Sequence, residues 1–136
     1  HQDAGYGKGP TAYVTCWIAL DHVDQENGCL WAIPGSHRGD IFPHEVRKSN
    51  EEDYAGLFLK NLDLDLSNAR PIVMQPGDIL CMDSKLIHAS TPNFSGRKRR
   101  GIIVAYAKSH LIKKYKSQIV ETTVPFLKNG ERLPVY

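Results

Sequence analysis

The sequence predicts an antiparallel all-β fold, a sandwich or a barrel. Three observations carry that prediction. Apolar residues alternate over 11–20, several further short β-rich runs are cut by Gly, Pro and Asn turns, and helical periodicity is almost absent. The 136 residues suit one domain, 1–136, and are too few for two ordinary ones.

Thr11 to Leu20 alternates as a strand, with Val14, Cys16, Ile18 and Leu20 on one face and Tyr13, Thr15 and Trp17 on the other. Both faces carry bulk, so both are expected to be covered. Asp24-Gln25-Glu26-Asn27-Gly28 reads as a turn, because Asn-Gly readily takes positive φ. Cys29 to Ile33 is the return strand, ended by Pro34-Gly35-Ser36-His37. Residues 38–70 are polar, with charges from Arg47 to Asp53 and a short helical turn expected within Tyr54 to Leu64. Pro71 to Gln75, Ile79 to Met82, Leu86 to Ser90 and Arg99 to Ala107 read as strands, separated by the tight turn Pro76-Gly77-Asp78 and the loop 91–96. Gln118 to Val124 could add one more. The loop Ala4 to Pro10 is rich in glycine but lacks phosphate-loop spacing and a Lys-Ser/Thr ending, so it reads as a flexible connection.

Charge and hydropathy narrow the function classes. Lys plus Arg number 17 against 15 Asp plus Glu, and only Arg97-Lys98-Arg99-Arg100 is locally basic, so nothing argues for a nucleic-acid partner. No apolar run approaches the roughly 18 residues of a membrane span, and no signal-like segment is visible. The three cysteines, Cys16, Cys29 and Cys81, are widely spaced and odd in number, which argues against a disulfide framework and for a reducing, cytoplasmic compartment. All three sit in apolar runs and are expected to be small core residues.

Four residues could carry chemistry. His1 and Asp3 are two apart and would share a face of a strand, able to grip one metal or to form a solvated polar end. His88 follows Leu86-Ile87 in a predicted strand, and is either a satisfied core histidine or a ligand. Two histidines and a carboxylate form the facial triad that holds non-haem Fe(II) with positions left open. Arg99 opens an apolar strand; its planar fork suits a carboxylate, unless it is one surface arginine among four basic residues.

The ordered set His1-Gln2-Asp3, Trp17-Ile18-Ala19-Leu20-Asp21, Glu26-Asn27-Gly28-Cys29-Leu30, Ile33-Pro34-Gly35-Ser36-His37, Gly77-Asp78 and His88-Ala89-Ser90 with Asn93 resembles the phytanoyl-CoA dioxygenase family over roughly residues 1–107. The resemblance implies a double-stranded β-helix, or jelly roll, and a dioxygenase using Fe(II), 2-oxoglutarate and O2 on a small-molecule or acyl substrate. It places His1, Asp3 and His88 on the iron ligands and Arg99 on the arginine for the distal carboxylate of 2-oxoglutarate. Ser90 and Trp17 fall on co-substrate contacts, and Arg97, of the same strand parity, competes with Arg99. The arginine is expected in the same cavity, on the strand next to that of His88. Some halogenases of the family replace the carboxylate with a small residue; Asp3 is present, so hydroxylation or another oxidation is expected in preference to halogenation. His37 is expected to be structural, and His22, His44 and His110 lack a ligand-like context.

Family members carry a long N-terminal part before His-x-Asp, so residues 1–136 are expected to be the C-terminal catalytic portion of a longer chain. Two other readings stand beside this one. A jelly-roll binding module would keep the fold without catalysis. A copper histidine-brace oxygenase would use His1 and His88 if His1 is a mature terminus, and would leave Asp3 and Arg99 unexplained.

Overall fold

The computed structural model describes residues 1–6, 13–48, 55–60, 63–107, 112–115, 118–121, 127–128 and 131–132. Two three-stranded antiparallel sheets form its centre. In the first, β1 (Tyr13–Ala19) lies between β6 (Ile79–Asp83) and β8 (Gly101–Ala107). In the second, β2 (Leu30–Ala32) lies between β5 (Arg70–Ile72) and β7 (His88–Ser90). The chain enters the second sheet at β2 and β5, returns to the first at β6, and crosses again at β7 and β8. That antiparallel alternation between two sheets is the jelly roll expected from the sequence.

β1 shows why the sheets face each other. Thr15, Trp17 and Ala19 are buried, and they pair with Met82, Leu80, Ala105, Ile103 and Gly101 on the neighbouring strands. Trp17 and Ala19 join Val23, Cys29 and Met74 in the core, with Leu30, Trp31, Ile72 and Leu80 packed against it. A fully buried side chain of this size contributes about 1.5–3 kcal/mol. The opposite face of the first sheet departs from expectation. Val14, Ile79 and Ile102 are 42%, 58% and 47% exposed, so this apolar face is not covered by the described residues. Side-chain alternation reports which residues share a face, and bulk alone does not report what packs on it.

The turn after β1 forms as expected. Buried Asn27 donates from Nδ2 to His22 O (2.7 Å) and accepts the Asp24 amide (2.8 Å). Gly28 has φ 86°, and a Cβ there would lie 2.6 Å from Thr91 O. Both features call for glycine. The following strand does not return to β1; β2 crosses to the other sheet, because this turn docks against residues 91–94 instead of closing a hairpin. The Phe94 amide donates to Glu26 O at 3.0 Å.

Other elements differ in extent. Residues 38–70 hold a hairpin of β3 (His44–Lys48) and β4 (Ala55–Leu59), and the helical turn falls at Leu66–Asn68, where the Asp65 side chain accepts the Ser67 amide. The expected turn at Tyr54 to Leu64 is therefore displaced; residues 49–54, 61 and 62 lie outside the described residues. Ala4 to Tyr6 belong to a 3-10 turn spanning Asp3–Tyr6, not to a flexible loop, while 7–10 are outside the described residues. β9 (Ile112–Tyr115) pairs with β10 (Gln118–Glu121), and β11 (Leu127–Lys128) with β12 (Glu131–Arg132). Residues 122–124, where the last expected strand continues, and His110 lie outside the described residues. Among the described residues no helix is long and apolar enough to cross a membrane.

The cysteines need a correction. Cys29 is a core residue, whereas Cys16 is half-buried and Cys81 exposed. They lie directly opposite each other on β1 and β6. Apolar neighbours in sequence put both on the open face of the first sheet.

Candidate metal centre

His1, Asp3 and His88 converge. One ligand atom from each lies within 4.8 Å of the other two. The Nε2 atoms of His1 and His88 approach the same oxygen, Asp3 Oδ1, at 3.3 and 3.6 Å. Adjacent donors about 2.1 Å from one octahedral ion lie about 3 Å apart, close to these separations.

The route to this convergence differs from the expected strand alternation. The His1 main-chain nitrogen donates to His88 O (2.8 Å), and the His88 amide donates to His1 O (3.0 Å). Asp3 then turns back, because it begins the 3-10 turn. Gln2 pins the segment between them. Its side chain is fully buried, donates to Asp40 O and Lys85 O, and accepts the Phe42 amide. Every polar atom of that amide is thus used, as burial demands.

Two of the three donors, His88 and Asp3, are oriented from behind. His88 Nδ1 lies 3.0 Å from Leu86 O; a carbonyl accepts only, so Nδ1 carries the proton and Nε2 keeps its lone pair. Thr15 Oγ1 donates to Asp3 Oδ2 at 2.6 Å, leaving Oδ1 for the cluster. Burial pushes the Asp3 pKa up, but hydrogen bonds from His1 and Thr15 and the charges of His88 and His1 outweigh it, so the pKa falls below the ordinary 3.8. Burial lowers the His88 pKa, and the positive charge of His1 adds to this against the opposing effects of Leu86 O and Asp3. A carboxylate and a neutral imidazole are the forms that bind a metal. The donor set, two imidazole nitrogens and one carboxylate oxygen, fits a first-row divalent ion with open positions.

The expected co-substrate residues are placed as follows. Trp17 is buried two residues along β1 from Thr15, on the same face. The Arg99 guanidinium carbon lies 5.9 Å from the centre of the Trp17 ring, and Arg99 has no ionic or hydrogen-bonding partner among the described residues. Arg97 is spent elsewhere: its Nη2 lies 2.8 and 3.0 Å from the two oxygens of Asp24 and 3.3 Å from Glu26 Oε2. Ser90 sits two residues after His88 in β7 and is exposed. One expectation fails: Arg99 is not on a strand beside that of His88. It precedes β8, which pairs with β1 in the first sheet, while β7 pairs with β2 in the second. His88 opens β7, and Arg99 lies near the end of the connection, residues 91–100, that carries the chain from β7 to β8.

Sequence reasoning missed Thr15, Gln2 and His44. The His44 ring accepts the Gln2 amide on Nε2 (3.0 Å) and packs where a Cβ on Gly5 would stand. Burial and the nearby His1 lower its pKa, although the Phe42 main chain raises it. Thr15 could have been found, since it shares a strand face with Trp17. His37 lies in a 3-10 turn, Ser36–Arg38, and His22 contacts Gln75 and Asp24. An apolar cavity of about 480 Å³ adjoins His1 and His88, lined also by Trp31, Leu59, Leu64 and Leu66.

The family model for phytanoyl-CoA dioxygenase matches residues 1–101. The chain is 35% identical over 113 residues to peroxisomal phytanoyl-CoA dioxygenase of Bos taurus, covering 81% of this chain and 33% of that protein. It is 34% identical over 117 residues to a probable phytanoyl-CoA dioxygenase of Caenorhabditis elegans, covering 82% and 36%. The chain spans about a third of the length of these curated relatives. Among solved structures, EvdO2 from Micromonospora carbonacea var. aurantiaca, complexed with 2-oxoglutarate, superposes with a TM-score of 0.66 at 28% identity, over 92% of this chain and 47% of that one.

Proposed function

The chain belongs to the phytanoyl-CoA dioxygenase family, and from that premise we propose that it carries the iron and co-substrate site of a non-haem Fe(II)- and 2-oxoglutarate-dependent dioxygenase. The convergence of His1, Asp3 and His88 on one point is the observation that supports this most. Iron, 2-oxoglutarate and O2, when bound, supply oxidation of an unactivated C–H bond coupled to release of succinate and CO2.

The chain's own residues position and shield. His1 and His88 offer Nε2, and Asp3 offers Oδ1 while Thr15 holds its other oxygen. Arg99 lies over Trp17 with its donors uncommitted among the described residues, as a fork for the distal carboxylate of 2-oxoglutarate, and Ser90 adds a hydroxyl on the face of His88. The apolar cavity beside His1 and His88 takes the substrate, a small molecule or acyl group, and keeps water from the reacting C–H.

Asp3 favours hydroxylation over halogenation, since its carboxylate fills the position a halide would take and its negative charge disfavours a second anion there. The local basic run does not favour nucleic acid: Arg97 is paired with Asp24, Arg100 with Asp21, and Arg99 lies over Trp17. A reducing, cytoplasmic compartment, expected from the odd cysteine count, is part of the same proposal. The test is succinate release from 2-oxoglutarate across a metabolite panel in chloride buffer, with and without Fe(II). Iron-dependent succinate with a hydroxylated product is expected. No succinate from any substrate, or a chlorinated product, overturns the reading.

A further inference from the structure

Cys16 and Cys81 occupy directly opposed positions in the antiparallel pair of β1 and β6, and their sulfurs are 3.5 Å apart. Opposed residues in such a pair have Cα atoms about 4.5–5.5 Å apart, inside the range of about 4.4–6.8 Å that a disulfide spans. The sulfurs have only to move from 3.5 Å to the roughly 2.05 Å of a disulfide bond. Both lie on the face of the sheet that also carries exposed Val14 and Ile79, away from Thr15, Trp17 and the metal-binding candidates. Cys81 is exposed and Cys16 half-buried, so an oxidant reaches Cys81 first.

We propose that Cys16 and Cys81 form a reversible modification site, a dithiol that hydrogen peroxide converts to a cross-strand disulfide. The Cys81 thiolate attacks one peroxide oxygen, the O–O bond breaks, and Cys81 becomes a sulfenic acid with release of hydroxide. Cys16 then attacks the Cys81 sulfur; the S–S bond forms, the S–O bond breaks, and the Cys16 proton leaves with hydroxide as water. Two thiols are oxidised by two electrons and one peroxide is reduced to two waters. The hydrogen bond to Cys81 raises the Cys16 pKa, which suits the second, resolving role. Cys29, fully buried in the core, is the built-in control.

The experiment treats the reduced chain with hydrogen peroxide, alkylates free thiols under denaturing conditions, and maps the peptides by mass spectrometry. The expected product is lighter than the reduced chain by two hydrogens before alkylation, carries a Cys16–Cys81 crosslink, has Cys29 alkylated, and reverts with dithiothreitol. In Cys16→Ser the crosslink is absent and dimedone traps sulfenic acid on Cys81. Cys29→Ser should form the crosslink as the wild type does. Sulfinic acid on Cys81 with Cys16 freely alkylated, a bond to Cys29, or a bond between two chains would each overturn the proposal.

Discussion

His1 and His88 exchange two main-chain hydrogen bonds across 87 positions of sequence, and their rings stand with centroids 4.4 Å apart. The exchange is that of a hydrogen-bonded antiparallel pair, whose side chains leave the same face. The metal-binding geometry therefore begins in the backbone, before any side chain turns. Gln2 locks this pairing through four hydrogen bonds made by its amide and side chain, and the 3-10 turn after it brings Asp3 back between the two rings.

Thr15→Val keeps the shape of the side chain and removes the 2.6 Å hydrogen bond to Asp3 Oδ2. Loss of such an orienting partner costs about 10- to 100-fold in metal affinity. Anaerobic Fe(II) titration should show that weakening with an unchanged stoichiometry. Wild-type affinity in Thr15→Val would remove Thr15 from the account.

Arg99→Ala and Arg97→Ala should separate cleanly. A charge-assisted fork contributes about 1.5–3 kcal/mol, so Arg99→Ala should raise the KM for 2-oxoglutarate about 10- to 100-fold. Arg97 is half-exposed and paired with Asp24 and Glu26, a solvent-screened surface interaction. Arg97→Ala should leave that KM unchanged. The reverse pattern would assign the co-substrate to Arg97.

Gly101→Ala probes the seat of Trp17. A Cβ at this position would lie 2.5 Å from Trp17 Cζ2, inside van der Waals contact. Trp17 is buried, so it cannot move aside freely, and overpacking of this kind costs about 1–3 kcal/mol. Urea denaturation should report that loss, and the KM for 2-oxoglutarate should rise as Trp17 shifts under Arg99. Unaltered stability would mean that the indole is free to relocate.

What the sequence showed and what it hid divide along the range of the interaction. The alternation of Val14 to Ala19, the Asn27-Gly28 turn and the Gly77 turn are local, and each formed where expected. The destination of β2 was hidden, because a strand's pattern does not name its partner. The β3–β4 hairpin lay in polar sequence, where apolar periodicity is weak. The convergence of His1, Asp3 and His88 was legible through the ordered family segments, while the co-substrate role of Arg99 stands as a proposal. Thr15 and Gln2 were not, since their roles exist only once Asp3 and His88 are brought to them. The opposition of Cys16 and Cys81 is a matter of register between strands 65 residues apart in sequence.

Acid should destabilise the protein over a defined window. Asp21 accepts three hydrogen bonds from Arg100, from its amide, Nε and Nη2. The Arg100 side chain and then its amide hold the Asp21 pKa down to about 2, against an ordinary 3.8. A carboxyl depressed on folding stabilises fully above its unfolded pKa, and the gain is lost as pH falls through the folded value. The urea midpoint should thus drop between about pH 4 and pH 2, and Asp21→Asn should flatten that drop. An unchanged slope in the variant would place the acid sensitivity elsewhere.

The central claim is that His1, Asp3 and His88 together hold one iron ion. Calorimetric titration of Fe(II) into the chain under argon tests it most directly, comparing wild type with Asp3→Ala and His88→Ala and checking the fold of each by circular dichroism. The account predicts one ion per chain in the wild type, and affinity lost in both variants while they remain folded. Wild-type protein that binds no Fe(II), or folded variants that bind it as tightly as the wild type, would contradict it.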